Sequence, residues 1–209
     1  MRRFAYLGLL IMGGLLAVNG DASAATAAKT TKGKSEAAPA ASKAGAGEDV
    51  AVLKTSMGTI VFRFFEKDAP KHVANFKKLA SSGFYDGTTF HRVIPGFMIQ
   101  GGDPNSKDAD RSNDGLGGSG TNVAAEFNAN KHLRGTVSMA RAQDPNSASS
   151  QFFICVKPTP FLDGQYSVFG QVLEGMDVVD KIVAVPRDAR DNPLDKVVME
   201  KVTIEKRKL

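Results

Sequence analysis

Residues Phe90 to Asp103 read FHRVIPGFMIQGGD, two short runs of strand-forming residues separated by a Pro95-Gly96 turn. Arg92 is the one charged residue in the first run. An arginine within a strand is most often a solvated or ion-paired surface residue, and Phe97 and Met98 taken alone would be core residues. By themselves these residues therefore indicate strands and a turn, and they leave the function open.

Further short β-rich runs lie on both sides of this stretch. Upstream, Met57-Gly58 separates two of them and predicts a hairpin. In chain order, the predicted strands cover residues 50–53, 59–65, 90–94, 97–100, 135–140, 151–156, 168–172 and 197–205.

Two segments have the periodicity of amphipathic helices. The first follows Asp68, which stands at the N-cap position before Ala69-Pro70, and its buried face and its end are marked by Val73, Phe76, Leu79 and Ser81-Ser82-Gly83. The second is predicted over residues 176–183, with a buried face of Val178, Val179 and Ile182. Eight short strands and two helices without βαβ alternation predict a mainly-β fold, an antiparallel barrel with helices at its ends.

The N-terminus has the organisation of a secretory signal peptide. The basic start Met1-Arg2-Arg3 precedes an uncharged apolar run over residues 4–18, which is short for a membrane span. Ala22-Ser23-Ala24 supplies the small residues that signal peptidase requires, so residues 1–24 are predicted to be removed. The alternative is an uncleaved membrane anchor. We expect export to the periplasm, or secretion where the cell has no outer membrane.

Residues 25–48 are rich in Ala, Lys, Gly, Ser and Thr and contain no large hydrophobic side chain. Such a segment cannot bury enough apolar surface to offset the entropy lost on ordering. We therefore expect a flexible, low-complexity linker before a single folded domain over residues 49–209. The lysines of the linker leave open a role in binding an anionic envelope surface.

Composition and spacing exclude several classes of function. The formal net charge is +5 at pH 7, but the predicted signal peptide and linker carry part of it, and the folded part is near +2, too weak to indicate nucleic-acid binding. The single cysteine, Cys155, allows neither an intrachain disulfide nor a cysteine zinc cluster. The three histidines, His72, His91 and His132, lack helical metal-ligand spacing, so no metal is expected. No pair of nucleophile and base stands out either.

The stretch GGDPNSKDADRSNDGLGGSGT, residues 101–121, is glycine-rich and acidic but matches no ligand-binding loop. A calcium-loop-like start at Asp108 and Asp110 is followed by Asn113 where the turn glycine is needed, and by Ser119 where the bidentate Glu is needed. Its glycines are not followed by the Lys-Ser/Thr of a phosphate loop. We expect a turn-rich surface loop.

Three long blocks resemble the cyclophilin family in their order and spacing. FHRVIPGFMIQGGD is similar to the signature of that family, and SMARAQDPNSASSQFFICV (Ser138 to Val156) and FLDGQYSVFGQVLEGMDVVDKI (Phe161 to Ile182) are similar to its two later blocks. The similarity extends over residues 50–209. It implies a closed eight-stranded antiparallel β-barrel capped by two α-helices, and a peptidyl-prolyl cis–trans isomerase that assists the folding of exported proteins.

Rotation about the peptide bond before proline breaks no covalent bond, so the resemblance implies no cofactor. The reaction needs a pocket for the proline ring and a donor that favours the twisted imide nitrogen. By resemblance, the catalytic residues are Arg92, the donor, and Gln100, which holds Arg92 and the substrate backbone in place. The implied pocket consists of Phe97, Met98, Phe153 and Leu162 with Phe161 at its rim. Ala140 and Arg141 are implied to offer backbone groups to the residue before proline, and Gln151 to line the neighbouring subsite.

Three positions depart from the best-known eukaryotic members of the family. Phe161 stands where they have Trp, which removes an indole N–H donor, so weakened cyclosporin binding is expected. Tyr166, an implied substrate-binding residue, replaces a His, and Arg141 replaces an Asn, both at the pocket edge. Arg92 and the apolar pocket are kept, so activity is expected.

The expected partners are proline-containing unfolded or exported polypeptides, and the domain is expected to act as a monomer. One alternative stays open, because a site does not settle a biological role. The same pocket could serve a proline-peptide-binding chaperone module in which catalysis is incidental.

Overall fold

The computed structural model describes residues 47–209. The predicted signal peptide (1–24) and all but the last two residues of the predicted linker (25–48) lie outside the described residues. The first strand begins at Glu48, so the described residues correspond closely to the segment with predicted strands and helices.

Eight strands and two α-helices form in this segment. The strands are β1 (Glu48–Thr55), β2 (Gly58–Phe64), β3 (Arg92–Ile94), β4 (Met98–Gly101), β5 (Thr136–Met139), β6 (Phe152–Cys155), β7 (Val168–Glu174) and β8 (Met199–Arg207). The helices are α1 (Pro70–Ser81) and α2 (Met176–Val183). Every predicted strand and both predicted helices are confirmed. Neither α-helix of the described segment is long and apolar enough to cross a membrane.

All eight strands belong to one sheet with the order β3-β4-β6-β5-β7-β2-β1-β8, and each neighbouring pair is antiparallel. The predicted closed barrel is wrong in one respect. Within residues 47–209, the edge strands β3 and β8 do not form a ladder with each other. An isolated bridge from Thr89 to Val198 spans the seam, and the Phe90 N–H donates to the Val197 carbonyl at 2.9 Å. The sheet is therefore open, a curled half-barrel.

Side-chain alternation along the central strands separates two apolar clusters. Ile99 of β4 and Ile154 of β6 point into the main core, together with Phe152. Their neighbours Met98 and Phe153 point to the opposite face of the sheet and belong to a smaller cluster. Strands β4 and β6 are thus buried on both faces, and the outer of these faces carries the site described below.

Phe76 of α1 lies at the centre of the main core and is fully buried. Its ring stacks on Tyr85 with centroids 4.8 Å apart, and it makes edge contacts with Phe62 at 5.2 Å and Phe152 at 5.5 Å. Such aromatic pairs add about 0.5–1.5 kcal/mol each beyond the burial of their area. The helix is therefore fixed against the inner face of the sheet by one residue with several aromatic partners.

A distant part of the chain caps the N-terminus of α1. The N-cap residue is Ala69, which has no side-chain hydrogen bond, so the prediction of Asp68 as N-cap is wrong. The carboxylate of Glu126 instead accepts the backbone N–H groups of Lys71 at 3.1 Å and His72 at 3.0 Å. The Nδ1 atom of His72 lies 2.7 Å from the same carboxylate. A negative charge at this position is favoured by the helix dipole.

Candidate active site

The smaller apolar cluster lies on the outer face of β4 and β6. Backbone pairing sets Met98 opposite Cys155, and Gln100 opposite Phe153. The buried members of the cluster are Met98, Phe153, Cys155 and Leu162, and the partly buried residues packed against them are Ile94, Phe97, Ala140 and Tyr166. All four residues predicted for the proline pocket, Phe97, Met98, Phe153 and Leu162, therefore come together in one cluster.

Arg92 lies beside this cluster, on the edge strand β3 and directly opposite Gln100 of β4. Its Nη1 donates to Gln100 Oε1 at 3.5 Å, which is at the long end of the hydrogen-bond range. Arg92 is exposed, so the remaining guanidinium N–H groups face solvent and are available to a ligand.

Gln151 holds Gln100 in turn. The Nε2 of Gln100 donates to Gln151 Oε1 at 2.8 Å. The Nε2 of Gln151 donates to the backbone carbonyls of Gly115 at 2.9 Å and Gly117 at 2.8 Å. Three polar residues predicted for the site, Arg92, Gln100 and Gln151, thus form one continuous line of hydrogen bonds along the apolar cluster.

Phe161 and Leu162 come from a 3-10 helix, Pro160–Leu162. Leu162 is buried within the cluster, whereas Phe161 is 63% exposed. The Phe161 ring lies 5.6 Å from the ring of Phe97, centroid to centroid. The exposed Phe161 ring and the partly buried Phe97 ring form an aromatic edge of the site.

Arg141 and Tyr166 form another edge. The guanidinium carbon of Arg141 lies 4.5 Å from the centroid of the Tyr166 ring, a cation–π distance. Its Nε donates to the Gln165 carbonyl at 3.2 Å. The backbone N–H of Ala140 donates to the carbonyl of Gln151 at 3.0 Å, so of the backbone groups predicted to bind the substrate, this N–H is already bonded within the protein.

Two supports of the site are not predicted from the sequence. His132, considered there only as a metal ligand, is buried and lies beside Phe153. The glycine-rich loop, predicted as a plain surface loop, carries the carbonyls of Gly115 and Gly117 that bind Gln151. No local motif marks either support, since each reaches the site only through the tertiary fold.

The chemistry open to this arrangement is hydrogen bonding beside an apolar surface. Burial raises the pKa of the Cys155 thiol to about 11, so the thiol stays protonated at neutral pH and is a poor nucleophile. Within residues 47–209, no three His, Cys, Asp or Glu side chains are grouped so that they could hold a metal ion. Beside the cluster, the guanidinium of Arg92 is a permanently charged donor that makes one hydrogen bond within the described residues, to Gln100.

Comparison with known proteins agrees with this geometry. Residues 50–204 match the family described as cyclophilin type peptidyl-prolyl cis-trans isomerase/CLD. A peptidyl-prolyl cis-trans isomerase of Synechococcus elongatus is 47% identical over 152 residues, which cover 73% of this chain and 94% of that protein. A probable peptidyl-prolyl cis-trans isomerase of Brucella abortus is 48% identical over 166 residues, covering 76% of this chain and 83% of that protein.

A solved structure shows the same fold. The cyclophilin type peptidyl-prolyl cis-trans isomerase of Cryptosporidium parvum, crystallised in the presence of the dipeptide Ala-Pro, superimposes with a TM-score of 0.69 and 34% sequence identity. The match covers 76% of this chain and 99% of that chain. The family match also contains every residue of the site described above. The chain therefore belongs to the cyclophilin family of peptidyl-prolyl cis–trans isomerases.

Proposed function

We propose that this protein isomerises X-Pro peptide bonds of exported polypeptides, and so assists their folding, with Arg92 as the donor in the transition state. The observation that carries the proposal is the position of Arg92. Its exposed guanidinium lies next to the apolar cluster that contains Met98 and Phe153. It donates a hydrogen bond to Gln100 on the neighbouring strand β4.

The barrier to this reaction comes from amide conjugation and is about 18–20 kcal/mol. Uncatalysed X-Pro exchange takes tens to hundreds of seconds. A donor accelerates rotation when it binds the twisted state more tightly than the planar state. The guanidinium of Arg92 can donate to the proline carbonyl and approach the imide nitrogen as its lone pair is released from conjugation.

The apolar cluster has the complementary role of holding the proline ring. Met98 and Phe153 are almost fully buried by the surrounding protein, so their positions are set before a substrate arrives. With the ring anchored there, the segment that precedes proline is the part that turns. Neither step requires proton transfer or a covalent intermediate.

The test is an isomerisation assay on an Ala-Pro peptide with wild type and Arg92→Ala side by side. We expect Arg92→Ala to lose about a hundredfold in kcat/KM, as for removal of one transition-state donor. Arg207→Ala is the matched control, because Arg207 lies on β8 and pairs with Glu174 and Glu205. An unchanged rate in Arg92→Ala would overturn the proposal.

A proline-peptide-binding chaperone role is the second candidate. It is favoured by the exposed ring of Phe161, which lies against the partly buried ring of Phe97 at the edge of the site and offers apolar contact without catalysis. Complementation of an isomerase-deficient strain separates the two roles. Rescue by the Arg92→Ala protein supports the chaperone role, and failure of that variant beside rescue by wild type supports the enzymatic one.

We further propose that the protein acts outside the cytoplasm. The support is the basic start, the apolar run and the Ala22-Ser23-Ala24 site in residues 1–24. N-terminal sequencing of protein from the periplasmic or secreted fraction should begin at Ala25. Protein that keeps Met1 and stays in the cytoplasmic fraction would contradict export.

A further inference from the structure

We propose that His132 and Asp163 are positioning residues that set the affinity of the apolar pocket for the proline ring. Together they hold the segment 159–163, which carries two of the predicted pocket residues, against strand β6. The inference rests on the proposed function, in which this pocket binds the proline ring.

The segment 159–163 depends on the rest of the protein for its position. Its one regular element is the three-residue 3-10 helix Pro160–Leu162, and a helix of this length is not stable without tertiary contacts. Leu162 is buried in the pocket cluster, whereas Phe161 is exposed beside it. The place of both side chains in the site is therefore set by the groups that bind the two ends of the segment.

Both ends of the segment are bonded to one residue, His132. At the first end, the Thr159 N–H donates to the His132 carbonyl at 2.8 Å. At the other end, Asp163 Oδ1 accepts the backbone N–H of His132 at 2.9 Å and lies 3.0 Å from its Nδ1. The backbone N–H of His132 holds the pKa of the Asp163 carboxyl below its usual range, so this acceptor is ionised at neutral pH.

The imidazole ring of His132 connects the segment to the sheet. The ring is buried and stacks beside Phe153 of β6. Its Nε2 lies 3.2 Å from Ser138 Oγ, and Ser138 is on β5, directly opposite Phe153. The ring is thus fixed between the segment on one side and two strands of the sheet on the other.

The hydrogen bonds of the neutral ring can all be made at once. The Asp163 carboxylate can only accept, so Nδ1 carries the proton. Nε2 then accepts, and the Ser138 hydroxyl donates to it. The other acceptor near Ser138 Oγ is the Ser167 carbonyl at 3.0 Å, which already receives the Met139 N–H. A buried polar network with every bond made is rigid, so this network keeps the pocket wall ordered.

An ordered wall should affect binding more than the chemical step. The proline ring occupies the pocket in both the planar and the twisted state, so a loosened wall weakens the binding of both states alike. Each side chain that must be ordered on binding costs a factor of about two to ten in affinity. The donor Arg92 is bonded elsewhere, to Gln100 of β4. We therefore expect changes in KM with little change in kcat.

The first experiment compares Asp163→Ala with Glu126→Ala in the Ala-Pro peptide assay. Glu126 is the matched control, because its carboxylate accepts the backbone N–H of His72 at 3.0 Å and lies 2.7 Å from His72 Nδ1, but at the start of α1. Asp163→Ala should raise KM about five- to tenfold and change kcat by less than about twofold. Glu126→Ala should change KM by less than about twofold, since it orders no pocket side chain.

Thermal unfolding of both variants measures the stability that each one loses. A rise in KM confined to Asp163→Ala, at a comparable loss of stability, supports positioning. An equal KM in the two variants would overturn it, because a general loosening of the fold would then explain any change.

Two substitutions of His132 separate its bond to Asp163 from its packing. Asn places an Nδ2 donor where the ring has Nδ1, whereas Leu fills a similar volume without a donor. His132→Leu should raise KM about fivefold, and His132→Asn should stay within about twofold of wild type. The same KM in both variants would show that this bond does not position the pocket. If His132→Leu does not fold, Asp163→Ala still decides, since the Asp163 side chain is 18% exposed.

The positioning role and the proposed function fail in different ways. If Arg92→Ala keeps the wild-type rate, the proposed function is wrong. If Arg92→Ala is slow while Asp163→Ala and Glu126→Ala have the same KM, only the role of His132 and Asp163 is wrong.

Discussion

The imidazole ring of His132 lies nearly parallel to the phenyl ring of Phe153, with centroids 6.0 Å apart and planes at 13°. The Nδ1 of His132 is 3.0 Å from Asp163 Oδ1, and its Nε2 is 3.2 Å from Ser138 Oγ. Burial lowers the pKa of His132, although the Asp163 carboxylate opposes the shift. The ring is therefore neutral at pH 7 and supports one wall of the apolar cluster.

Stability should decrease on mild acidification. Burial lowers the pKa of His72, His91 and His132 below their ordinary value of 6.5. As pH falls through 6.5, the unfolded chain takes up protons that the folded chain resists, so the free energy of unfolding falls. Urea unfolding at about pH 7.5 and pH 5.5 measures this difference. A free energy of unfolding that stays level or rises on acidification would contradict the neutral, buried state of these rings.

Phe161→Trp should strengthen cyclosporin binding. By resemblance to the family, this position supplies an indole N–H donor that Phe161 lacks. One recovered hydrogen bond corresponds to a decrease in Kd of about five- to tenfold. Phe161 is 63% exposed, so the larger ring fits without repacking, and thermal unfolding should be unchanged. Titration calorimetry with both proteins gives the comparison, and an equal Kd would show that an indole N–H at this position does not contribute to cyclosporin binding.

Arg141 should favour acidic residues near the proline of a peptide substrate. Its N–H groups bond to the carbonyls of Gln165, Ala142 and Gln143, and no carboxylate within residues 47–209 pairs with it. The uncompensated charge at the site edge is partly exposed, so the effect is modest. We expect the ratio of kcat/KM for Glu-Pro over Lys-Pro peptides to fall about two- to fivefold in Arg141→Gln. In wild type, high salt should reduce the ratio of kcat/KM for Glu-Pro over Lys-Pro peptides, because it screens the charge of Arg141. If Arg141→Gln leaves that ratio unchanged, Arg141 does not select acidic residues.

Glu126→Ala should destabilise the protein although Glu126 lies outside any helix or strand. Its carboxylate accepts two N–H groups at the start of α1 and contacts His72. Loss of a helix cap costs about 0.5–2 kcal/mol. Asp68→Ala is the control, because Asp68 is not the cap and should cost less than Glu126→Ala in urea unfolding. A larger loss of unfolding free energy in Asp68→Ala than in Glu126→Ala would indicate that Asp68 is the capping residue.

The local elements are predictable from the sequence because each depends on neighbouring residues. Helix α2 has the predicted limits, Met176–Val183, since its apolar residues repeat at helical spacing directly after Gly175. The strand pair around Pro95-Gly96 forms as predicted, with Arg92 and Gln100 in register. The resemblance to the family identifies which residues belong to the site. In the structure, the predicted pocket side chains lie together in one cluster.

What the sequence could not reveal depends on contacts between distant segments. Glu126 is 55 residues from Lys71, whose N–H it accepts. The N-cap rule considers only residues next to the helix start, so it predicts Asp68 as the cap. The glycine-rich loop has the composition of an ordinary turn region, and only the bonds from Asp103 and to Gln151 show what it holds. The seam between β3 and β8 is joined by an isolated bridge from Thr89 to Val198 instead of a ladder. The alternation of residues within each strand does not reveal this difference.

The position of the apolar cluster on the outside of the curled sheet determines how a long polypeptide can be engaged. No end of the substrate has to be threaded into an enclosed channel. Under the proposed function, a proline far from either terminus would lie against Met98 and Phe153 while the flanking segments extend in both directions. The proposal therefore predicts that any exposed proline of an unfolded chain is a possible substrate, one after another along its length.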